Sequence, residues 1–282
     1  MKILVTGATG RVGSRFVPRL LKDERNVSVL VRDRSQEAVA SLERLGARVV
    51  EGDVTQPDTL ADALKEVDVI VHIAAFFRSR DDKEIWRINE TGTANLADAA
   101  AKAGVKRFVM TSTGLVYTNV DGPGKETDTV SPTLAYPASK VAAEQRVLGL
   151  KGHGMEACIL RLGFVYGDGD PHVAELGPLL ERFHYHPAQR MHMVHHADVA
   201  QALMLALRSE DAPGEIFNVA DDAPMTAKEL LELSEQTANL GPGSAPLEKP
   251  WDGLLDTTKI RTKLGYWPTV STYYCAMADG IL

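Results

Sequence analysis

Short β-branched, apolar runs alternate with amphipathic helical patterns through the first half of the chain. Several runs are apolar on both faces, as in strands of a parallel sheet that helices cover on both sides. The alternation predicts an α/β fold with a doubly wound parallel sheet. The predicted strands are Lys2–Thr6, Val27–Val31, Ala47–Glu51, Val67–His72, Arg107–Thr111 and Ala157–Arg161. The predicted helices are Gly13–Lys22, Gln36–Leu45, Pro57–Leu64, Lys83–Ala103 and Pro137–Leu150.

The C-terminal part is less regular. Residues around 168–192 and 241–250 are rich in glycine, proline or histidine and have no clean periodicity, which indicates loops. Helices are predicted at Asp198–Leu207, Thr226–Thr237 and Thr257–Leu264. We therefore expect a sheet domain over residues 1–165, which also receives strand and helix segments from about residues 194–220. Residues 166–282 would form largely a small lid interleaved with this core.

Composition narrows the classes of protein. The 282 residues carry a formal net charge of −7, which argues against a nucleic-acid or anionic membrane partner. No apolar stretch is long enough to span a bilayer, and the first apolar run is too short for a signal-peptide core. The cysteines, Cys158 and Cys275, have no metal-like spacing. A reduced, cytoplasmic setting is the expectation.

A glycine-rich segment, Gly7-Ala8-Thr9-Gly10-Arg11-Val12-Gly13, joins the first strand to the first helix. Glycines allow a tight turn and a close approach of the backbone to a pyrophosphate, and the helix N-terminus offers free N–H groups. The spacing GxxGxxG differs from the commoner GxGxxG, but it lies in the expected strand–turn–helix context. This segment predicts a dinucleotide site.

The residues after the second strand favour one dinucleotide over another. Arg32 lies about 20 residues beyond the loop, where a guanidinium suits the 2′-phosphate of NADP(H). Arg11 is expected to flank the same phosphate, although both arginines also fit a solvated surface, and Asp33 also fits a ribose hydroxyl of NAD(H). NADP(H) is favoured and NAD(H) stays open. Asp53 and Val54 suit the adenine edge, and Asp53 suits a helix cap equally well.

Tyr136 and Lys140 lie four residues apart in Tyr136-Pro137-Ala138-Ser139-Lys140. In a helix both side chains share one face, and proline is tolerated in the first turn. A free tyrosine ionises near pH ~10, so acid or base chemistry near neutrality needs a neighbouring cation to favour the phenolate. The pair predicts proton transfer by Tyr136, with Lys140 also holding ribose hydroxyls.

Hydroxyls end the fifth predicted strand at Thr111-Ser112-Thr113. Ligands bind at the carboxyl edge of open α/β sheets, so one of these hydroxyls is expected to hydrogen-bond the substrate oxygen. Threonine and serine are also common near strand ends for structural reasons. More motifs follow in order: HIAA at residues 72–75, NETGTAN at 89–95, RLGFVYG at 161–167, VHHADVA at 194–200, FNV at 217–219 and LGYWP at 264–268.

With these motifs the chain resembles the extended short-chain dehydrogenase/reductase family, the NAD(P)-dependent epimerases and dehydratases, over nearly its whole length. The resemblance implies a Rossmann fold, Thr113 as the substrate-polarising hydroxyl with Ser112 as the second choice, and Tyr166 and its neighbours beside the nicotinamide. The expected catalytic residues are Tyr136, Lys140, Thr113 and Ser112. The expected cofactor contacts are Gly7, Thr9, Gly10, Arg11, Val12, Arg32, Asp53, Val54, Ala74, Ala75, Asn89, Thr111, Tyr136, Lys140, Phe164 and Val165.

Three functions stay open. Carbonyl reduction or alcohol oxidation is favoured; an epimerase of a sugar or nucleotide sugar and a dinucleotide-sensing regulator are the alternatives. The family's sugar dehydratases carry an Asp-Glu pair where this chain has Gly114-Leu115, which disfavours dehydration. Arg190 is a candidate for a nucleotide diphosphate, and pocket identity is expected in residues 76–82, 114–120 and 164–192.

Two further expectations concern metals and assembly. The histidine-rich stretch lacks carboxylate or cysteine partners at ligand spacing, so no metal is expected at His184, His186, His192, His195 and His196. Homodimerisation through the helices at Lys83–Ala103 and Pro137–Leu150 is what the resemblance implies. The alanine-rich faces of these helices suit internal packing equally well.

Overall fold

The computed structural model describes residues 1–77, 79, 81–150 and 154–282. Seven parallel strands form its main sheet: β1 (Ile3–Thr6), β2 (Val27–Val31), β3 (Arg48–Glu51), β4 (Val69–His72), β5 (Arg107–Thr113), β6 (Glu156–Leu162) and β10 (Glu215–Val219). Four short strands lie outside it: β7 (Phe164–Tyr166) pairs with β9 (Met193–His195), and β8 (Arg190–Met191) pairs with β11 (Met225–Thr226).

The helices α1–α6 are Gly13–Asp23, Glu37–Arg44, Leu60–Ala63, Asp82–Trp86, Gly92–Ala103 and Ala135–Leu148. The helices α7–α11 are Leu176–Arg182, His196–Arg208, Ala227–Leu233, Thr258–Leu264 and Tyr273–Ala278. Short 3-10 turns at Pro57–Thr59 and Gly114–Val116 and a π-helical turn at Arg87–Thr91 interrupt or extend them. None of the described helices is long and apolar enough to cross a membrane.

The order of strands places the site. The strand order across the sheet is β3-β2-β1-β4-β5-β6-β10. Successive strands are therefore added on one side of β1 up to β3 and on its other side from β4 onward. Thr6 at the end of β1 is the register partner of His72 at the end of β4. In open α/β sheets ligands bind at such a reversal, outside the carboxyl ends of the strands.

Both faces of the sheet are buried. Alternate residues of β1 enter different clusters: Ile3 and Val5 pack with α1 and α8, whereas Leu4 packs with α5 and α6. This follows from the two-residue period of a strand. The Rossmann-type α/β fold predicted from the sequence is confirmed.

Several element boundaries differ from the sequence prediction. The helical segment predicted at Lys83–Ala103 is present without a break, and within it the π-helical turn at Arg87–Thr91 lies between α4 and α5. The helix predicted at Thr226–Thr237 ends at Leu233, and the stretch expected to be loop near residue 180 contains α7. A third apolar cluster of C-terminal residues, among them Tyr166, Leu180 and Leu230, lies apart from the two clusters on the sheet.

Candidate active site

The loop between β1 and α1 has a shape that only glycine allows. Gly7 has φ +71°, and a Cβ there would lie 2.6 Å from the backbone nitrogen of Ala74. A Cβ at Gly13 would lie 2.1 Å from the Gly7 carbonyl oxygen, to which Gly10 donates a hydrogen bond of 3.0 Å. No side chain caps α1, so its first N–H groups face the loop without a side-chain acceptor. This cradle fits a pyrophosphate.

Arg32, directly after β2, has an exposed side chain. The neighbouring Asp33 is engaged locally, because its Oδ1 accepts from Ser35 N at 2.8 Å and from Ser35 Oγ at 2.7 Å, which lowers its pKa. Asp53 is similarly used in a turn, since its Oδ1 accepts from Thr55 N at 2.8 Å. Both acidic residues stabilise turns at the edge where the adenosine of a dinucleotide lies in this fold.

Arg11 contacts a different part of the chain from the one expected. Its Nη1 donates to Asp170 at 2.7 Å and its Nη2 donates to Glu175 at 2.7 Å. Asp170 also binds His196 Nε2 at 2.8 Å, and these cationic and hydrogen-bonding partners hold the pKa of its carboxyl below the usual range although burial opposes this. The Arg11 side chain therefore ties the glycine loop to the segment after β7.

Lys140 is a charged residue in the interior of the fold. Its side chain is 1% exposed, and Nζ has no hydrogen-bond partner among the described residues. Burial lowers its pKa to about 8, and Glu144 on the next turn of α6 acts in the opposite direction. A buried ammonium without acceptors is costly, so this position fits a ligand that brings hydroxyl oxygens, such as a ribose.

Tyr136 lies one turn before Lys140, at the start of α6. The spacing of Tyr136 and Lys140 predicts that the cation favours the phenolate, but burial is the dominant effect and raises the pKa of Tyr136 to about 12. The phenol is thus protonated at neutral pH. A protonated phenol is the form that can donate a proton to a carbonyl oxygen.

The hydroxyls at the end of β5 differ in their partners. Thr111 Oγ1 donates to the His72 carbonyl at 3.4 Å, and Thr113 Oγ1 accepts from Leu115 N at 3.2 Å. Ser112 Oγ is buried without a partner in the described structure. Since the Thr113 oxygen already accepts a backbone N–H, its own proton is oriented away from that amide and can donate to a substrate oxygen.

A buried hydrogen-bond network connects the carboxyl ends of the strands to α6. Thr6 Oγ1 contacts His72 Nδ1 at 2.7 Å, His72 Nε2 contacts Thr93 Oγ1 at 2.9 Å, and Thr93 Oγ1 donates to Asn89 O at 2.6 Å. Thr93 uses its proton on Asn89, so it accepts from Nε2 and leaves Nδ1 as an acceptor. Burial and the charge of Lys140 lower the pKa of His72 to about 3, consistent with a neutral ring.

Asn89 continues the network into the site. Its amide exchanges hydrogen bonds of 2.7 and 2.9 Å with the Phe76 backbone, and Nδ2 also donates to Ser139 Oγ at 3.1 Å. Ser139 in turn donates to the Tyr136 carbonyl at 2.7 Å. Asn89 is among the site residues predicted from the sequence, whereas Ser139 and Thr93 are not. Their signals were a hydroxyl inside the Tyr-x-x-x-Lys segment and one in the NETGTAN motif.

Behind Lys140 lies a buried ion pair. Arg161 of β6 donates to Glu144 from Nη2 at 2.7 Å and from Nε at 3.1 Å, and its Nη1 donates to Tyr117 OH at 2.8 Å. Tyr117 OH donates to Asn218 Oδ1 at 2.9 Å. Fully satisfied networks of this kind fix side-chain positions in a core. This one fixes the turn of α6 that follows Lys140.

The expected contacts at the nicotinamide end lie around the ends of β4 and β6. Ala74 N donates to Thr6 Oγ1 at 3.3 Å, and Ala75 is exposed directly after it. Val165 is buried in β7, whereas Phe164 keeps part of its ring exposed. The rings of Phe164 and His172 stack with their centroids 4.0 Å apart, a contact that was not among the sequence predictions.

The histidines are engaged individually. His195 caps α8 by accepting from Ala197 N at 3.1 Å, and His192 Nε2 donates to Asp221 O at 3.0 Å. Among the residues that the structure describes, no group of three or more histidine, cysteine, aspartate or glutamate side chains is arranged to hold a metal ion.

The glycine loop, the Tyr136/Lys140 pair and the edge of the parallel sheet together have the arrangement of a Rossmann-type enzyme with a dinucleotide site. The NAD dependent epimerase/dehydratase family matches residues 3–220, and the chain belongs to this family. A 4-hydroxy-2-methyl-3-oxo-4-farnesyl-3,4-dihydroquinoline-1-oxide ketoreductase of Stigmatella aurantiaca is 32% identical over 85% of this chain and 74% of its own length.

Two solved structures are similar over almost the whole fold. A dTDP-glucose 4,6-dehydratase from Streptomyces venezuelae, with NAD bound, is 28% identical with a TM-score of 0.82 and covers 99% of this chain and 95% of its own. A UDP-glucose 4-epimerase from Thermotoga maritima is 26% identical with a TM-score of 0.79 and covers 96% and 94%. The predicted family and enzyme class, an oxidoreductase or epimerase of the short-chain dehydrogenase/reductase type, are confirmed.

Proposed function

We propose that the protein reduces a ketone or aldehyde, or oxidises the corresponding alcohol, with a nicotinamide cofactor that it takes up and releases in each turnover. The observation that carries the proposal is the buried ammonium of Lys140, one helical turn from Tyr136, whose Nζ has no hydrogen-bond partner in the part of the chain that the structure describes. The relative from Stigmatella aurantiaca is named a ketoreductase, which supports the same reaction class.

The residues have distinct roles in the direction of reduction. The bound cofactor supplies the hydride. Tyr136 donates the proton of its hydroxyl to the substrate oxygen, and Thr113 donates a hydrogen bond to the same oxygen. Lys140 donates from Nζ to ribose hydroxyls and stabilises negative charge on Tyr136 after proton transfer. The Gly7–Gly13 loop holds the pyrophosphate, and Asn89 and Ser139 hold the first turn of α6.

Dehydration is disfavoured at this site. Gly114 follows Thr113, and a Cβ at this position would lie 2.8 Å from the Leu255 side chain. An acidic side chain for removing water therefore has no room there without a shift of Leu255. This feature separates the chain from the sugar dehydratases whose fold it shares.

NADP(H) is the proposed cofactor. Arg32 lies exposed directly after β2, and a guanidinium binds a 2′-phosphate with two parallel hydrogen bonds. Similar structures contain NAD, so NAD(H) is the alternative that competition experiments should include.

The test is net turnover. Purified protein with NADPH and a panel of carbonyl compounds should consume the cofactor, measured by nicotinamide absorbance. Tyr136→Phe should lower kcat by about 100-fold or more and leave the Kd for NADPH nearly unchanged. Full turnover by this variant would overturn the proposal.

Epimerisation is the second candidate, because a UDP-glucose 4-epimerase is among the similar structures. An epimerase oxidises and reduces the same carbon, so it would convert a nucleotide sugar without a net change in absorbance. Chromatography of UDP-glucose incubated with the protein and NAD would detect this reaction. A dinucleotide sensor would show neither activity while still binding the cofactor.

The oligomeric state, the domain organisation and the cellular location are proposals as well. We propose a homodimer through α5 and α6, whose outer faces include Ala94, Asp98 and Gln145 around a shallow depression. Light scattering on the purified protein measures the mass directly. We also propose that residues 166–282 act largely as a lid on the sheet domain of residues 1–165, and that the protein works in the cytoplasm on a small-molecule substrate.

A further inference from the structure

Three ring side chains continue from the phenol of Tyr136 toward the segment that follows β7. The Phe77 ring lies 5.9 Å from the Tyr136 ring, centroid to centroid, at an angle of 47°. His172 lies 5.8 Å from Phe77, and Phe164 stacks on His172 at 4.0 Å. Phe77, His172 and Phe164 are all half-buried residues. We call these three residues the aromatic wall.

The aromatic wall is held in place by hydrogen bonds of its own. His172 Nδ1 donates to Val165 O at 2.9 Å, and His172 N donates to Asp170 Oδ1 at 3.0 Å. Asp170 is itself fixed by Arg11 and His196. These bonds set the plane of the imidazole, on which the Phe164 ring stacks at an interplanar angle of 17°, whereas Phe77 meets the imidazole at 69°. A preformed surface of this kind loses little conformational entropy when a ligand binds.

Exposed apolar side chains are also close in sequence to the proposed catalytic residues and to the aromatic wall. Leu115, two residues after Thr113, is 50% exposed, and Leu134, two residues before Tyr136, is 56% exposed. Phe76, next to Phe77 in the chain, is 36% exposed. A single exposed leucine is ordinary, but exposed apolar residues within two positions of Thr113, Tyr136 and Phe77 suit the lining of a ligand site.

We propose that the substrate is a ketone whose carbonyl is attached to, or part of, a flat uncharged ring, and that this ring stacks on the aromatic wall beside Tyr136. The inference rests on the carbonyl-reductase function proposed above. Ring pairs favour centroid separations of about 4.5–7 Å and gain stabilisation beyond the buried area. A flat ring also contacts the face of a phenylalanine over more of its area than a puckered sugar ring does.

A matched pair of substrates tests the shape. Acetophenone has a flat ring, and cyclohexyl methyl ketone has a puckered ring with the same carbon skeleton. We expect kcat/KM with NADPH to be about tenfold higher for acetophenone. Phe77→Leu keeps apolar volume but removes the ring, so it should lower kcat/KM about three- to tenfold for acetophenone and less than about twofold for the saturated ketone.

Leu134 can be tested against a matched control residue. Leu134→Ala should raise KM for acetophenone severalfold. Leu45→Ala removes an equally exposed leucine, 55% exposed at the end of α2, and should leave KM unchanged. Equal kcat/KM for the two ketones in the wild type, or an unchanged ratio in Phe77→Leu, would overturn the proposed substrate class.

A binding measurement separates this inference from the proposed function. Saturation-transfer NMR on Tyr136→Phe with NADPH should detect acetophenone bound through its ring protons. Ring binding to the variant, without reduction of any carbonyl compound of the panel by the wild type, would overturn the reductase function and leave a flat-ring site. Turnover of aliphatic ketones in preference to acetophenone would overturn the flat-ring class and leave the redox function, whereas conversion of UDP-glucose without a net change in absorbance would overturn both. Neither binding nor turnover of acetophenone would overturn the inference.

Discussion

Asn89 Nδ2 donates a hydrogen bond of 3.1 Å to Ser139 Oγ and so joins the π-helical turn to the first turn of α6. The same amide pairs with the backbone of Phe76. One buried side chain therefore sets the distance between the loop after β4 and the helix that carries Tyr136 and Lys140. π-helical turns are frequent at functional sites, and here the turn places Asn89 inward.

Replacing Asn89 should loosen this junction. Asn89→Ala leaves the Phe76 N–H and carbonyl without their partner, so we expect the free energy of unfolding to fall by about 1–3 kcal/mol and kcat to fall more than KM changes. Urea denaturation and steady-state kinetics measure the two effects. Ser139→Ala removes only one of these contacts and should have the smaller effect on stability. An unfolding free energy equal to that of the wild type would contradict the role given to Asn89.

Alanine substitutions at Gly10 and Gly13 of the glycine loop should differ in how much they destabilise the protein. A Cβ at Gly10 would lie 3.2 Å from the Gly7 carbonyl oxygen, which a small shift relieves, whereas a Cβ at Gly13 would lie 2.1 Å from it. Gly10→Ala should fold with a nearly unchanged Tm but bind NADPH about tenfold or more weakly, because the methyl group lies where the pyrophosphate approaches. Gly13→Ala should be strongly destabilised. Fluorescence titration and thermal melts distinguish the two, and a Gly13→Ala protein as stable as the wild type would refute the loop geometry.

Lys140 makes stability depend on pH. Burial lowers its pKa to about 8 from 10.5, so between these values the unfolded chain binds more protons than the folded one. The contribution of Lys140 to the free energy of unfolding therefore rises with pH through this window, by up to about 3 kcal/mol. Lys140→Met should be more stable than the wild type at pH 7, and the difference should shrink as the pH rises.

The measurement is urea unfolding of both proteins at a series of pH values. Taking the difference removes the contributions of other groups, such as Cys158, whose pKa burial raises to about 12. The variant should also lose activity, since Lys140 is in the proposed catalytic pair. A constant difference between the two proteins across the window would show that Lys140 is not a buried, destabilising cation.

Substitutions of Arg32 and Arg11 should have different effects on the binding of NADPH and NADH. Arg32→Ala should weaken NADPH binding by about tenfold or more while NADH binding changes little, because a charge-assisted contact with the 2′-phosphate is lost. Arg11→Met should instead affect both cofactors alike, since Arg11 binds Asp170 and Glu175. Calorimetric titration with each cofactor gives the ratios. An unchanged ratio in Arg32→Ala would favour NAD(H) as the physiological cofactor.

The sequence by itself determined the alternation of strands and helices, the glycine loop and the Tyr136/Lys140 spacing. These are local properties: burial on both faces gives apolar strands, a tight turn needs glycine, and four residues make one helical turn. Family membership followed from the order of such motifs along the chain. The boundaries it missed, such as the π-helical turn at Arg87–Thr91, depend on contacts with α6 rather than on periodicity.

Only the tertiary structure decided which groups meet across long separations in the chain. Arg11 pairs with Asp170 and Phe77 lies beside Tyr136 because chain segments far apart in sequence are brought to one edge of the sheet. The protonation states were decided there too, because desolvation of Tyr136 and Lys140 depends on the atoms packed around them and not on their spacing. The sequence already points to the segments that contain Phe77, Phe164 and His172, whereas the contacts between these rings are visible only in the folded chain.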